Sequence, residues 1–238
     1  MFNAGKWVAE LTSSLGSYSA LQDFVTDKET IEFYANKLTT ITLVVHEDNS
    51  ADEIENADSD SDKSIRKYQI TKIQEANQIY QKQMIVLITS YAETIILDFL
   101  QCIFVAHPVR AYDYLNDDEK GAKGKIDLKE ILEADTKDSL INSLSFKAAN
   151  IATRGKFKTS LNNIEKISKR KLDSELSRKL NSLIELRNRI VHELADVDIT
   201  NKEVLDGFDC LSDLISNLGI IAQENGVHVN NPHLWEEE

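Results

Sequence analysis

Residues 84–106 read MIVLITSYAETIILDFLQCIFVA, and they contain only two charged side chains, Glu93 and Asp98. Apolar residues at helical spacing extend this stretch back to about Ser64, and Pro108 ends it. The stretch is long enough to cross a bilayer, but a charged side chain near the bilayer centre costs about 2.5–3.5 kcal/mol. We therefore predict that it is the central, buried core helix of a protein without a membrane-spanning segment.

The composition of the whole chain favours helices. Of the 238 residues, 8 are glycine and 2 are proline, whereas average usage of the two residues together is about 12%. A β-sandwich or barrel needs many turns and therefore more of these residues. Because no stretch shows a convincing alternation of apolar and polar residues, the predicted fold class is all-α, a helical bundle with a long central helix.

Residues 1–63 are predicted to form an N-terminal helical segment followed by an acidic flexible loop. Thr26 and Glu29 form a capping-box pattern ahead of apolar residues at helical spacing, which predicts a helix that ends near His46. Residues 47–62 contain eight acidic side chains and no basic ones. Such a segment buries too little apolar surface to offset the entropy lost on ordering, so we predict a loop.

The helical domain is predicted to span residues 64–226, and residues 227–238 are predicted to form a polar acidic tail. Asp173 is a predicted helix cap, and Thr200 with Glu203 forms a second capping box. The helices predicted after the long helix are 126–134, 137–153, 157–170, 174–196 and one that follows Thr200.

We predict no metal and no cofactor. Cys102 and Cys210 lie in apolar stretches without CxxC spacing, so neither a disulfide framework nor a thiolate metal site is expected. The chain has no glycine-rich phosphate loop, no HExxH and no GxSxG. Two isolated cysteines are typical of a protein from the reducing cytoplasm, which is the predicted location.

Charge is distributed unevenly along the chain. The net charge of −13 argues by itself against a protein that binds nucleic acid. Between Lys147 and Arg189, however, there are twelve basic and four acidic side chains. An anionic ligand is therefore expected to bind in this region, although a solvated charged face explains the same pattern equally well.

One helix carries a polar cluster in its apolar stripe. The stripe begins at Leu176 and repeats at steps of three and four residues, but Arg187 occupies one of its positions. Asn188 follows the arginine, and His192 lies four residues beyond Asn188 on the same face. These three residues form a polar notch in a helix that otherwise packs well, and they are the candidate site.

The same cluster is also compatible with a purely structural role. An arginine and a histidine on one helix commonly serve as an interface ion pair and a hydrogen-bonded histidine. In that case Glu93 or Asp98 of the long helix is the expected partner of Arg187, and the cluster has no further function.

The string ELRNRIVHE, residues 185–193, closely resembles the signature of the HEPN superfamily of all-helical domains. That signature is an arginine followed by a polar residue, with a histidine after four to six intervening residues, here Arg187, Asn188 and His192. The resemblance covers about residues 64–219 and implies a bundle of the HEPN type. Many members have a small residue after the histidine, whereas this chain has Glu193. Its carboxylate adds negative charge beside the site where the resemblance implies that phosphate binds.

The resemblance implies a metal-independent endoribonuclease, a prokaryotic toxin or antiviral defence effector whose active site forms where two copies of the motif face each other in a homodimer. Histidine suits proton transfer near neutral pH, and arginine donates fixed hydrogen bonds to phosphate oxygens. Asn188 is expected to position a histidine or to donate to phosphate. The predicted RNA-binding residues are Arg154, Lys156, Lys158, Lys166, Lys169, Arg170 and Lys171.

The implied partners are RNA, a second copy of the chain, and an antitoxin or regulatory partner protein. The alternative is a non-catalytic HEPN module that serves as a dimerisation domain or scaffold for RNA or protein. A scaffold does not require Arg187, Asn188 and His192 together, so the intact set favours the enzyme.

Overall fold

The computed structural model describes residues 1–39, 42–45, 51–54, 60–116, 131–132, 134–192 and 197–230. The elements in these ranges are α1 (Ala4–Thr26), α2 (Lys28–Thr39), β1 (Thr42–Val45), β2 (Ala51–Ile54), α3 (Asp60–Ala106), α4 (Pro108–Leu115), α5 (Lys137–Thr153), α6 (Phe157–Ser168), α7 (Ser174–His192) and α8 (Asn201–Glu224). The prediction of an all-α fold is confirmed, with one short antiparallel hairpin, β1–β2, added to the helices.

Helix α3 is the centre of the bundle. It has 47 residues, and each of the other helices named above packs against it. Its apolar half is inaccessible to solvent at Ile85, Ile88, Ile96, Phe99, Leu100, Ile103 and Phe104. By length and composition α3 is the one helix in the described ranges that could cross a membrane, yet 50% of its most apolar window is buried by other parts of the chain. This packing is that of a core helix, as the sequence predicts.

The N-terminal helix α1 belongs to the same hydrophobic core. Trp7 is buried, and its Nε1 donates a hydrogen bond to Asp98 Oδ2 of α3 at 2.9 Å. Tyr18 is fully buried, and its hydroxyl donates to Asn201 Oδ1 at 2.8 Å. Helix α1 is therefore held to both α3 and α8 by apolar packing and by directed hydrogen bonds.

The first residues of the predicted tail are packed against the chain's N-terminus. Phe2 N donates to His228 O, and Asn230 N donates to Phe2 O, both at 2.9 Å. Val227 and Val229 are buried beneath this contact. The prediction of a polar tail is therefore wrong for residues 227–230, because their two valines reach the core; residues 231–238 lie outside the described ranges.

The segment between α2 and α3 differs from the prediction. Asp27 rather than Thr26 caps α2, since its Oδ2 accepts from Thr30 N at 2.7 Å. Helix α2 ends at Thr39, and the following Thr-Leu-Val-Val run forms a strand, which suits its β-branched residues. Residues 51–54 form strand β2, which pairs with β1, and not a loop. The backbone hydrogen bonds between the two strands satisfy the N–H and C=O groups of this segment. The loop predicted for 47–62 is therefore wrong at 51–54 and at 60–62, which begin α3; the rest of it lies outside the described ranges.

The helices after α4 agree closely with the sequence. Helix α5 has the predicted bounds, Asp173 Oδ1 accepts from Leu176 N at 2.8 Å, and Thr200 and Glu203 form the predicted reciprocal cap. Helix α6 ends two residues early because Lys169 adopts a left-handed conformation, with φ of 61°. Most of the predicted helix 126–134 and the predicted end of α7 at 193–196 lie outside the described ranges.

Candidate functional site

Helix α7 carries Asn188 and His192 on its solvent face. The helix buries Leu176, Leu180, Leu183 and Leu186. At about 100° per residue, Asn188 and His192 lie about 40° apart on the side opposite Leu183 and Leu186. Both side chains are exposed, so the last two turns of α7 present the polar motif away from the monomer's core.

Arg187 lies at the edge of the buried stripe. Its side chain is half-buried, and Leu186 occupies the buried position that strict three- and four-residue steps assign to the arginine. By the helical repeat Arg187 lies only about 20° from Leu176, so the shift of the buried side toward Leu186 reflects the packing of the end of α7 and not the period of the helix. The guanidinium donates from Nη1 to Asn188 Oδ1 at 3.1 Å, which joins the first two motif residues.

Neither of the two carboxylates expected to neutralise Arg187 pairs with it. Asp98 accepts from Trp7, and Glu93 lines a hollow of about 250 Å³ with Thr153, Gly155 and Ser160. In the described part of the chain Arg187 makes no ion pair. None of the described carboxylates therefore neutralises its charge.

Two different surfaces flank the motif helix. On one side, Ile190 forms a shallow apolar hollow of about 450 Å³ with α3, where Ile79, Val86 and Leu87 line it. On the other side, Arg178 and Arg189 of α7 face the acidic side chains of α8, which are Glu203, Asp206 and Asp209. Lys179 lines the same hollow between α7 and α8, so the basic and acidic side chains of this hollow are equal in number, whereas the hollow on the α3 side contains one basic side chain, Lys82, and no acidic one. The α3 side is therefore the more suitable approach for phosphate.

The basic stretch is divided into two groups. All seven predicted RNA-binding side chains are exposed, but they cluster at the two ends of α6, a helix of 12 residues: Arg154, Lys156 and Lys158 lie at its beginning, and Lys166, Lys169, Arg170 and Lys171 lie at its end. Lys158 and Lys166 are about 12 Å apart along the helix axis. In the second group Arg170 pairs with Glu224 at 3.0 Å and Lys171 with Glu165 at 3.7 Å. The first group makes no ion pair with the described residues.

The first basic group lies on the same face of α3 as the motif end of α7. The hollow beside the α5–α6 turn contains Glu93 and Leu97, and the hollow beside Ile190 contains Leu87 and Ser90. These positions follow one face of α3, and ten residues of helix correspond to about 15 Å. A nucleic-acid strand of a few nucleotides could contact both.

Gln78 is a positioning residue that the sequence does not reveal. Its Nε2 donates to Ile199 O at 3.1 Å, and its Oε1 accepts from Ile199 N at 3.0 Å. This pair of hydrogen bonds holds the segment between the motif and α8 against α3. A single glutamine on a long helix resembles any surface residue, so no pattern points to it.

We expect Gln78→Ala to lower the free energy of unfolding by about 1–3 kcal/mol, because it leaves the backbone groups of Ile199 without their partners. Urea denaturation followed by circular dichroism measures the change. Gln74→Ala, at an exposed position of the same helix, is the control and should alter stability by less than about 0.5 kcal/mol. Equal stability of the two variants would contradict this role.

Both cysteines are unsuited to nucleophilic chemistry. Burial raises the pKa of the Cys102 thiol and that of the Cys210 thiol to about 11. A smaller part of each shift comes from a nearby carboxylate, Asp98 for Cys102 and Asp213 for Cys210. At neutral pH both sulfurs therefore remain protonated.

Comparison with known proteins identifies the family. A family model described as RiboL-PSP-HEPN matches residues 45–224, a region that contains α3 to α8 and the motif. No curated protein and no solved structure matches the chain significantly. The family match covers more than half of the chain. It confirms the resemblance to HEPN domains that was inferred from the motif. The chain belongs to the RiboL-PSP-HEPN family, one of the families of HEPN domains.

Proposed function

We propose that this protein is a metal-independent endoribonuclease, and that it acts in the cytoplasm as a prokaryotic toxin or antiviral defence effector. The observation that carries the proposal is the set of contacts that Arg187 makes. It is bonded to Asn188, has no acidic partner in the described ranges, and lies on the same helix end as the exposed His192. A structural arginine would instead be neutralised by a carboxylate.

The proposed reaction is an attack of the RNA's own 2′-hydroxyl on the adjacent phosphorus. A base removes the hydroxyl proton, the 2′ oxygen bonds to phosphorus, and the bond to the 5′ oxygen breaks as that oxygen receives a proton. The products are a 2′,3′-cyclic phosphate and a 5′-hydroxyl end. His192 serves proton transfer, Arg187 stabilises the additional charge on the phosphate oxygens, and Asn188 orients the arginine through its Oδ1.

A symmetric homodimer would supply the second proton-transfer group that one copy lacks. The reaction needs one group to take a proton and another to give one, whereas each motif contains one histidine. In a single copy Asn188 and His192 also lie on a solvent-exposed helix face. Two copies related by a two-fold axis would bring two histidines and two arginines to one cleft.

The apolar hollow beside Ile190 is the proposed contact surface of this dimer. Ile79 is 58% exposed there, and Val191 beside the motif is 41% exposed. We expect Ile79→Lys to convert the dimer to a monomer and to reduce RNA cleavage, because it places a charge in the buried contact. Light scattering at micromolar concentration measures the mass.

Val109→Lys is the control for this prediction, since Val109 is 71% exposed on α4, away from the motif. It should leave both the mass and the cleavage rate unchanged. A monomeric Ile79→Lys protein that cleaves RNA at the full rate would contradict the composite site.

The second candidate is a HEPN scaffold that binds RNA or protein without cleaving it. The shallow apolar hollow beside Ile190 favours this candidate, because an exposed apolar surface is suited to a contact with protein. RNA incubated with the purified protein in excess EDTA separates the two. Cleavage to cyclic phosphate ends supports the enzyme, and binding without cleavage supports the scaffold.

A further inference from the structure

Four amide side chains form a row through the interior of the bundle, between α1 and α3. Gln22 of α1 and Gln81 of α3 are 5% and 4% exposed, and Asn77 and Gln78 of α3 are half-buried. An amide at such a depth costs stability unless its oxygen and its nitrogen are both hydrogen-bonded. The bonds of this row therefore show which parts of the chain are linked through the core.

The amides of the row are bonded head to tail. Gln78 Nε2 donates to Gln81 Oε1 at 3.0 Å, and Gln81 Nε2 donates to Gln22 Oε1 at 3.4 Å. Gln22 Nε2 in turn donates to Asn77 Oδ1 at 2.7 Å. At the other end of the row, Gln78 Oε1 accepts from Ile199 N at 3.0 Å. Each amide fixes the orientation of the next, since a turned amide would place donor against donor or acceptor against acceptor.

A second contact from α1 reaches the same segment of the chain. The hydroxyl of the fully buried Tyr18 donates at 2.8 Å to Oδ1 of Asn201, the first residue of α8. Tyr18 and Gln22 are four residues apart and therefore share one face of α1. This face of α1 is thus linked to the connection between α7 and α8 at two positions, Ile199 and Asn201.

The row meets the motif helix at one turn of α3. Ile190, which lies within the motif, shares a hollow with Ile79 and Lys82 of α3, and Gln78 directly precedes Ile79. The chain is therefore attached to this turn of α3 on both sides of His192, at Ile190 and at Ile199. If the attachment at Ile199 opens, the last turn of α7 loses one of these two supports, and helix ends are the parts of a fold that open most readily.

We propose that Gln22 is a positioning residue for the motif, which through Gln81 and Gln78 fixes Ile199 and with it the last turn of α7. Gln22 precedes position 45, where the family match begins, so this support comes from outside the matched region. The order of the motif can be measured whether or not the protein cleaves RNA. The effect on cleavage rests on the proposed function.

Hydrogen exchange of single backbone amides, followed by NMR, tests this link without RNA. Gln22→Leu removes the acceptor of Gln81 Nε2 and so loosens the next amide along the row. We expect the Ile199 amide to exchange about tenfold faster than in the wild-type protein. The amides of Val191 and His192, in the last turn of α7, should exchange about threefold faster.

A second background shows whether the effect passes through the row. In Gln78→Ala the Ile199 amide has already lost its acceptor, Gln78 Oε1. Adding Gln22→Leu should then change the exchange of Ile199 by less than about twofold. Two side chains that acted independently would instead give the full change in either background.

Two further variants separate the row from the general packing of α1. Leu15→Ala removes a partly buried side chain of α1 that packs against the core, and it should leave the exchange of Ile199 within about twofold of the wild-type rate. Gln22→Glu keeps an acceptor for Gln81 Nε2, and Asn77 Nδ2, which lies 3.5 Å from Gln22 Oε1, can donate to it as well. This variant should restore most of the protection at Ile199.

Cleavage gives the functional readout. If the protein is the ribonuclease proposed above, Gln22→Leu should lower kcat by about threefold or more and change KM little. The reason is that a displaced His192 slows proton transfer more than it weakens binding of the RNA backbone. An active wild-type protein whose Gln22→Leu variant keeps the full kcat would contradict this role.

Three exchange results would also overturn the proposal. Unchanged exchange of Ile199 in Gln22→Leu would show that the row does not support it, and equal acceleration in Leu15→Ala would identify a general effect of α1 packing. Faster exchange at Ile199 with unchanged exchange at Val191 and His192 would separate the row from the motif. A wild-type protein that does not cleave RNA would contradict the proposed function, whereas the exchange rates would still decide the role of Gln22.

Discussion

Replacing His192 by alanine is expected to slow RNA cleavage by about 10²–10⁴-fold, because the variant loses a proton-transfer group. Arg187→Ala is expected to cost about 10²–10³-fold or more, because the charge that develops on the phosphate then lacks its fixed donors. The assay uses end-labelled RNA in excess EDTA and identifies the cyclic phosphate and 5′-hydroxyl ends. DNA of the same sequence should stay intact, since it has no 2′-hydroxyl.

Arg189→Ala is the matched control for these variants. Arg189 lies on the same helix two residues from Arg187, but it faces the acidic side chains of α8. Its removal should change the rate little, and none of the three variants should lose helical circular dichroism. A large loss of stability in Arg187→Ala, together with an inactive wild-type protein, would instead identify the arginine as a structural residue and favour the scaffold.

Phe99→Ala is expected to lower the free energy of unfolding by about 3–5 kcal/mol, the largest stability change predicted for this protein. Phe99 is fully buried on α3 and meets the ring of Phe2 edge to face at 5.9 Å. The substitution leaves a cavity in the centre of the bundle and removes the partner of Phe2. Thermal unfolding should shift down by about 6–20 °C for a chain of this size.

Phe33→Ala removes the same side chain at a surface position, where Phe33 is 63% exposed. Its unfolding free energy should change by less than about 1 kcal/mol. If the two variants unfolded at the same temperature, α3 would not be the centre of the core.

The local sequence determined several of the helices and some of their ends. The buried half of α3, the bounds of α5, the Asp173 cap and the Thr200–Glu203 capping box all follow from residues within a few positions of one another. Such features are predictable because helix formation and capping depend on contacts between near neighbours in the chain. The motif was found in the same way, since Arg187, Asn188 and His192 lie within two turns of one helix.

The tertiary structure alone decided how those helices use their charged and polar groups. Asp98 is not the partner of Arg187, because it accepts a hydrogen bond from Trp7, which is 91 residues away in the chain. Tertiary contacts also determine which basic side chains near α6 form ion pairs, such as Arg170 with Glu224. They likewise determine the hydrogen bonds of Gln78 to Ile199. A single sequence contains the periodicity that shows which side of a helix is buried. It does not contain the relative orientation of two helices, and contacts between distant residues depend on that orientation.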